Sequence, residues 1–320
     1  MDLDYLLFLQ EIRQSLPPCV EHFFATLSAI NVHPLLFTIP FIIYWCVDKR
    51  RGQILLTAVW LGNILNSFAK LSVCCYRPWI RNEAIVPARR AIPGATGYSF
   101  PSGHTATAVT IFGTLGWLYK KESKLLFAFC AMVIALMAFS RNFLCVHTFQ
   151  DVVFGLAVGI LSIFIACKFV AWSEENTDKD LKVLLFVLGT VALVFAYFAL
   201  KNYPRDYMEN GELLVDPKKM MKGGLKACGY VAALATSWYL ERRFIKFSMN
   251  VSVPEKICRA LVGCAFMGIF NFCLNPLITG GMNFYLKNFI KGCLTVFPGA
   301  LFAPLVFIPL HALFKKNIVR

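Results

Sequence analysis

The chain has 320 residues, of which 58% are hydrophobic and only 16% are charged, and its formal net charge is +14 at pH 7. Its mean hydropathy of +0.61 excludes an ordinary soluble domain and predicts a polytopic membrane protein. The cations are spread over the loops between apolar runs. We therefore attribute them to membrane orientation and to attraction of anionic lipid or substrate, and we expect no nucleic-acid partner.

The first element that the sequence predicts is an interfacial amphipathic helix over residues 1–22. This segment mixes apolar residues with Glu11 and Arg13, and it lacks the basic region and the cleavage site of a signal peptide. Residues 23–180 are expected to form a membrane core that contains all the motifs described below. Residues 181–320 add further transmembrane helices within what we expect to be a single membrane domain.

Nine apolar runs are candidate transmembrane helices, because about 20 apolar residues span the hydrocarbon core of a bilayer. They lie at 23–47, 53–76, 102–119, 124–143, 149–172, 182–200, 226–240, 257–275 and 293–314. The pattern predicts an all-α polytopic membrane protein.

The end of the second run carries two cations, Lys70 and Arg77, and Pro78 follows directly. Long basic side chains are common at membrane interfaces, where they extend toward water. Interface anchoring alone does not account for the two further motifs, which supply the other groups of a phosphate site.

The third run opens with the string Pro101-Ser102-Gly103-His104. Proline suits the start of a helix, and the free N–H groups at a helix start bind anions. Gly103 allows a phosphate to approach the backbone closely. We expect His104 to stand within reach of a leaving oxygen.

The junction between the fourth and fifth runs contains Arg141, His147 and Asp151. His147 and Asp151 are four residues apart and therefore share a helix face. A carboxylate beside one imidazole nitrogen fixes the tautomer and leaves the other nitrogen as a nucleophile. Arg141 can hold two phosphate oxygens. Charged groups this close to a bilayer cost free energy, so their presence indicates a function.

The three motifs are expected on one side of the membrane, because each lies where an even-numbered span ends or the next span begins. The opposite side has short loops rich in cations. These are Lys49-Arg50-Arg51, Lys120-Lys121-Lys124 and Arg242-Arg243-Lys246. The positive-inside rule assigns those loops to the cytoplasm, so we expect the motifs on the extracytoplasmic side, whether periplasmic, extracellular or lumenal.

Together, the motifs resemble the type-2 phosphatidic acid phosphatase superfamily, whose pattern is Lys-x6-Arg-Pro, Pro-Ser-Gly-His and Ser-Arg-x5-His-x3-Asp. The resemblance covers residues 70–151 without a departure. It implies a six-helix phosphatase core, to which this chain adds about three C-terminal transmembrane helices. The nine-span layout is similar to that of the glucose-6-phosphatase branch.

The resemblance implies a metal-independent phosphomonoesterase without a cofactor. His147 is then the nucleophile that forms a phosphohistidine, Asp151 orients it, and His104 protonates the leaving group. The residues expected to hold the phosphoryl oxygens are Lys70, Arg77, Ser102, Gly103 and Arg141. The motifs contain no acidic cluster of the kind that holds a metal ion.

We expect the substrate to be a lipid phosphate or diphosphate that arrives laterally from the membrane lipids. The loop 79–100 is rich in apolar residues and offers few side chains that could recognise sugar hydroxyls. The sequence leaves open a sugar-phosphate phosphatase, a lipid phosphotransferase and, in another class, an anion transporter. It does not fix the oligomeric state.

Overall fold

The computed structural model describes residues 2–95, 97–207, 211 and 213–318. Over these residues the regular structure is helical, and one isolated bridge pairs Tyr207 with Leu213. The predicted all-α class is therefore confirmed.

The described helices follow one another along the chain, and the longest connections are residues 82–102 and 201–216. In the first half of the chain they are α1 (Asp2–Ser15), α2 (Pro18–Asn31), α3 (Ile39–Ile42), α4 (Lys49–Val73), α5 (Pro78–Arg81), α6 (Gly103–Ala108), α7 (Thr114–Tyr119), α8 (Lys124–Phe143) and α9 (Phe149–Glu175). In the second half they are α10 (Asp180–Leu200), α11 (Pro217–Leu240), α12 (Val253–Gly268), α13 (Asn275–Ile278), α14 (Phe284–Phe297) and α15 (Ala303–Ile318). A π-helical turn, Val109–Gly113, joins α6 to α7.

Six helical stretches in the described part of the chain are long and apolar enough to cross a membrane. They are Lys49–Arg81, Lys124–Phe143, Phe149–Glu175, Thr177–Leu200, Val253–Ile278 and Phe284–Lys315. The broken pair Pro18–Asn31 and Pro34–Val47 makes a seventh if it counts as one span. The nine-span layout is not confirmed. The helical stretch at 103–119 is too short, and α11, which contains the run 226–240, is long enough but not apolar enough.

The amphipathic helix predicted over residues 1–22 is shorter than expected. α1 ends at Ser15, and a second helix begins at Pro18. The break falls at two consecutive prolines, since proline has no N–H to donate and disfavours helical backbone at the residue before it. The segment 1–22 is thus divided between α1 and the start of α2.

α1 is fastened to the loop that follows the second predicted span. Gln10 donates from Nε2 to the carbonyl of Ala84 at 3.1 Å and accepts at Oε1 from the N–H of Val86 at 2.6 Å. The buried Arg13 donates from Nη2 to the carbonyl of Val86, also at 2.6 Å. Because this loop leads toward the second motif, α1 helps to fix its path.

The chain divides into two compact units. The first consists of Met1–Leu36, Leu61–Ile165 and Leu200–Gly224, and the second of Phe37–Trp60, Ala166–Ala199 and Leu225–Arg320. All the site residues predicted from the sequence lie in the first unit. The predicted division of the chain at residue 180 stays a prediction.

The second unit holds a buried polar cluster of its own. Arg259 donates from Nη2 to Glu255 Oε1 at 2.6 Å and from Nη1 to the carbonyl of Ser248 at 2.7 Å. His311 Nδ1 lies 3.0 Å from Glu255 Oε2. The charges are paired with each other, as burial requires.

Within the first unit, the glycines of α9 allow α6 to come unusually close. A Cβ atom on Gly155 would lie 2.6 Å from the carbonyl oxygen of Ser102, and one on Gly159 would lie 2.5 Å from Val109 Cβ. Small residues four apart permit such close contact between membrane helices. The approach also lets the Ser102 N–H donate to the carbonyl of Asp151 at 2.8 Å.

We expect Gly155→Ala to destabilise the protein, because the added methyl group must displace the Ser102 carbonyl. Overpacking of this kind typically costs about 1–3 kcal/mol. The midpoint of thermal unfolding in detergent measures the effect. The matched control is Gly189→Ala in α10, where a Cβ atom would meet nothing within 4 Å. Alanine favours helix there, so the control midpoint should stay or rise. Equal midpoints for the two variants would contradict the close approach.

Candidate active site

Lys70 ties the end of α4 to the loop that precedes Ser102. Its Nζ donates to the carbonyls of Tyr98 at 2.9 Å, Ser99 at 3.0 Å and Pro101 at 2.9 Å. An ammonium group has three N–H donors, so the loop uses all of them. Lys70 therefore shapes the loop in this structure, and its direct contact with a phosphate stays a prediction.

Arg77 bridges the same loop and His147. Its Nε donates to the carbonyl of Gly97 at 3.0 Å, and its Nη1 donates to the carbonyl of Val146 at 2.6 Å. The same Nη1 lies 2.9 Å from His147 Nε2. Arg77 is only 4% exposed, so these contacts hold a buried cation directly against the imidazole.

The second motif forms the start of α6. Ser102 is the N-cap residue, and its Oγ accepts from the N–H of Thr105 at 3.4 Å and from the Thr105 hydroxyl at 2.9 Å. The first N–H groups of a helix have no partner within the helix. The N–H groups of Gly103 and His104 are in this position, which suits them to an oxyanion.

Asp151 holds the ring of His147 from the side away from Arg77. His147 Nδ1 lies 3.3 Å from Asp151 Oδ2, which also accepts from the N–H of Thr148 at 2.9 Å and from the hydroxyl of Ser99. This network assigns the ring proton to Nδ1, since a carboxylate only accepts. The lone pair of Nε2 is then directed toward Arg77.

The position of Asp151 follows from the way α9 begins. The N–H of Thr148 donates to Asp151 Oδ2, and the N–H of Asp151 is 3.3 Å from Thr148 Oγ1. This reciprocal pair is a capping box, which the spacing Thr148-Phe-Gln-Asp151 encodes. The carboxylate is thus fixed by a helix start.

His147 lies between two candidate spans and is 1% exposed. Burial, together with the nearby Arg77, Arg141 and Lys70 cations, lowers the pKa of His147 well below its usual range. The ring is therefore neutral at pH 7, and Nε2 can form a bond to an electrophile.

Arg141 is fully buried near the end of α8, and only part of its guanidinium is paired. Its Nη1 donates to the hydroxyl of Ser28. Its Nε and Nη2 have no hydrogen-bond partner within the described residues. These two donors share one edge of the planar group, and such an edge binds a carboxylate or phosphate with two parallel hydrogen bonds. The edge is therefore arranged to receive an anion.

His104 belongs to the same cluster of groups. Its backbone carbonyl accepts from Asn31 Nδ2 at 2.9 Å, and its ring lies within electrostatic range of Arg141, His147 and Arg77. The structure thus brings the three predicted motifs together in the first unit.

The sequence did not single out several residues that support this cluster. Ser28 and Asn31 come from α2, and Asn142 Nδ2 donates to the carbonyl of His147 at 2.9 Å. No short-range pattern links α2 to the motifs. By contrast, Thr148 could be found from the sequence, because its spacing from Asp151 is that of a capping box. Ser99 could be found because it lies three residues before Ser102.

Residues 51–175, which include all three motifs, match the family model of the PAP2 superfamily. Residues 225–316 match a second model, the transmembrane extension of PAP2 superfamily phosphatases. The chain contains a PAP2 superfamily domain and the PAP2 transmembrane extension. The resemblance predicted from the three motifs is confirmed, and the chain is a multi-pass membrane protein.

Two curated relatives are similar to parts of this PAP2 chain. Lipid phosphate phosphatase delta of Arabidopsis thaliana is 27% identical over 177 residues, which is 50% of this chain and 39% of the relative. Phosphatidylglycerophosphatase B of Bacillus subtilis (strain 168) is 25% identical over 125 residues, which is 37% of this chain and 57% of the relative. The chain thus covers less than two thirds of either relative. No solved structure matches it at a significant level.

We expect Arg141→Lys to weaken binding of orthovanadate, a phosphate analogue, by about 10- to 100-fold. Lysine keeps the charge but loses the two-donor edge, and a hydrogen bond to a charged group contributes roughly 1.5–3 kcal/mol. Competition with a phosphate ester, or calorimetry in detergent, measures the affinity. Arg89→Lys is the matched control, because Arg89 is an exposed arginine of the loop before the second motif. Equal affinity in the two variants would show that the Arg141 edge does not receive the anion.

Proposed function

We propose that this protein is an integral membrane phosphatase that hydrolyses a lipid phosphate or diphosphate through a phosphohistidine at His147. The observation that carries this proposal is the unpaired, buried edge of Arg141 beside a neutral His147. The names of the two relatives support a phosphorylated lipid as the substrate.

In the proposed reaction, His147 Nε2 attacks phosphorus as the bond to the leaving oxygen breaks. His104, whose protonated form the negative charge of the bound phosphate favours, gives its proton to that oxygen. Asp151 keeps the His147 ring oriented and stabilises the positive charge that the ring acquires when the N–P bond forms. A water molecule then attacks the phosphohistidine and gives its proton to His104. This step releases inorganic phosphate and restores both histidines.

Fixed cations supply the electrostatic stabilisation in this mechanism. Arg77 and Arg141 hold phosphoryl oxygens, as do the backbone N–H groups at Gly103 and His104, and Lys70 holds the loop that carries Ser102. Donors fixed before the reaction stabilise charge that develops in the transition state. Across residues 2–95, 97–207, 211 and 213–318, no three His, Cys, Asp or Glu side chains form a metal-binding group. The donor set therefore favours a mechanism without a metal.

The test is phosphate release by the purified protein from phosphatidic acid, a prenyl diphosphate and glucose 6-phosphate, each with excess EDTA. We expect turnover of the lipids in mixed micelles and little turnover of the sugar phosphate. A tenfold preference for the sugar, or roughly 1.4 kcal/mol, would contradict the lipid proposal. Loss of turnover in EDTA that magnesium restores would contradict the metal-free mechanism.

A labelling experiment with a phosphate ester that carries a radioactive phosphoryl group should distinguish the roles of the two histidines. His147→Ala should abolish the labelled phosphoenzyme, because the nucleophile is missing. His104→Ala should still form it slowly when the leaving group is good, since less protonation is then needed. The same loss in both folded variants would contradict the assigned roles.

We also infer that the site faces the extracytoplasmic side, a proposal that rests on the cation-rich loops opposite the motifs. In a background without accessible native cysteines, an impermeant thiol reagent should label Arg89→Cys in intact cells and should not label Lys121→Cys. The reverse pattern would place the site in the cytoplasm.

A further inference from the structure

A cleft of about 280 Å³ opens beside Arg77 in the first unit. Most of its lining is apolar and comes from two stretches of chain, residues 77–97, which include α5, and residues 213–220, which include the start of α11. The larger apolar lining residues are Trp79, Ile80, Ile92, Leu213, Leu214, Val215 and Met220. Asp216 and Lys219 are the charged residues that line it besides Arg77, and their charges are opposite.

The cleft adjoins the candidate active site at one shared residue, Arg77. Arg77 lines the cleft, and its Nη1 lies 2.9 Å from His147 Nε2. A phosphoryl group held by Arg77 is therefore close enough to place its ester substituent in the cleft. The cleft thus joins the polar site at Arg77 and is mostly apolar beyond it.

Residues 213–220 make close contacts with the loop that precedes the Pro101-Ser102-Gly103-His104 motif. The N–H of Tyr98 donates to Met220 Sδ at 3.3 Å. Gly97 has a φ of +80°, and a Cβ atom there would lie 1.9 Å from the same sulfur. Only glycine combines that backbone with that approach. Val215 is buried with Tyr98. The loop whose carbonyls accept hydrogen bonds from Lys70 and Arg77 thus also contacts Met220, which lines the cleft.

The shape and chemistry of the cleft define what it can hold. Its volume is at the lower end of the roughly 300–1,000 Å³ of small-molecule sites, which suits one narrow group better than two side by side. The sugar hydroxyls of a glucose phosphate would need several polar partners. Apart from Arg77, Asp216 and Lys219, the side chains that line the cleft are apolar and offer few such partners.

We propose that this cleft binds one apolar chain of the substrate, next to the phosphate, so that residues 213–220 determine specificity for long-chain phosphates. The proposal rests on the proposed function and adds to it a site for the chain. Ile92 and Leu214 contribute apolar side chains from the two stretches that line the cleft.

The test places a tryptophan in the cleft from each of the two stretches, in Ile92→Trp and Leu214→Trp. Val86→Trp is the matched control, because Val86 is 53% exposed in the same loop as Ile92 and does not line the cleft. The value of kcat/KM is measured for dodecyl phosphate and for the short ester butyl phosphate. We expect both cleft variants to lose at least tenfold on the long ester, while the short ester and the control change less than twofold. Equal effects on the two esters would overturn the proposal.

A binding experiment separates this proposal from the proposed function. A dodecyl phosphate with a photoreactive diazirine on its chain is crosslinked to the wild-type protein, and the labelled peptides are identified. Label within residues 79–97 or 213–220, suppressed in Leu214→Trp, supports the cleft even if no ester is hydrolysed. Label confined to other segments overturns the cleft even if the protein is a phosphatase.

Discussion

A guanidinium in the interior of a protein costs free energy unless its N–H groups find partners. Arg141 is fully buried, and the described residues pair one of its nitrogens and leave the Nε–Nη2 edge free. The rest of the site is consistent with an anion at that edge. The neutral His147 lies between Asp151 and Arg77, and its Nε2 lone pair is directed toward the cations.

The fold keeps this arrangement rigid through backbone contacts. The capping box of α9 fixes Asp151, and Gly155 lets the start of α6 approach closely enough for Ser102 to donate to the Asp151 carbonyl. Lys70 fastens the intervening loop by its carbonyls. Helix starts and backbone hydrogen bonds thus position the reactive groups, which reduces the reorganisation needed when charge develops on a phosphoryl group.

The parts of the site that the sequence predicted are those with a short-range pattern. The four-residue spacing of His147 and Asp151 and the three ordered motifs are of this kind. The support that Ser28 gives to Arg141 was not predictable, because the two residues are far apart in sequence and meet only in the folded protein. The contact of Lys70 with a phosphate stays a prediction, and its hydrogen bonds to the loop carbonyls were not predictable because they form only in the folded protein. The nine-span layout is not confirmed, because an apolar run in the sequence does not show whether its helix is long enough and apolar enough to cross a membrane.

An experimental structure of the protein with orthovanadate, which imitates the transition state of phosphoryl transfer, would show whether the free edge of Arg141 binds the phosphoryl group. We expect vanadium bonded to His147 Nε2, with Arg141 Nε and Nη2 each within hydrogen-bond distance of a vanadate oxygen. Vanadate bound elsewhere, or bound at His147 while that edge of Arg141 pairs with protein atoms, would show that Arg141 does not hold the phosphoryl group.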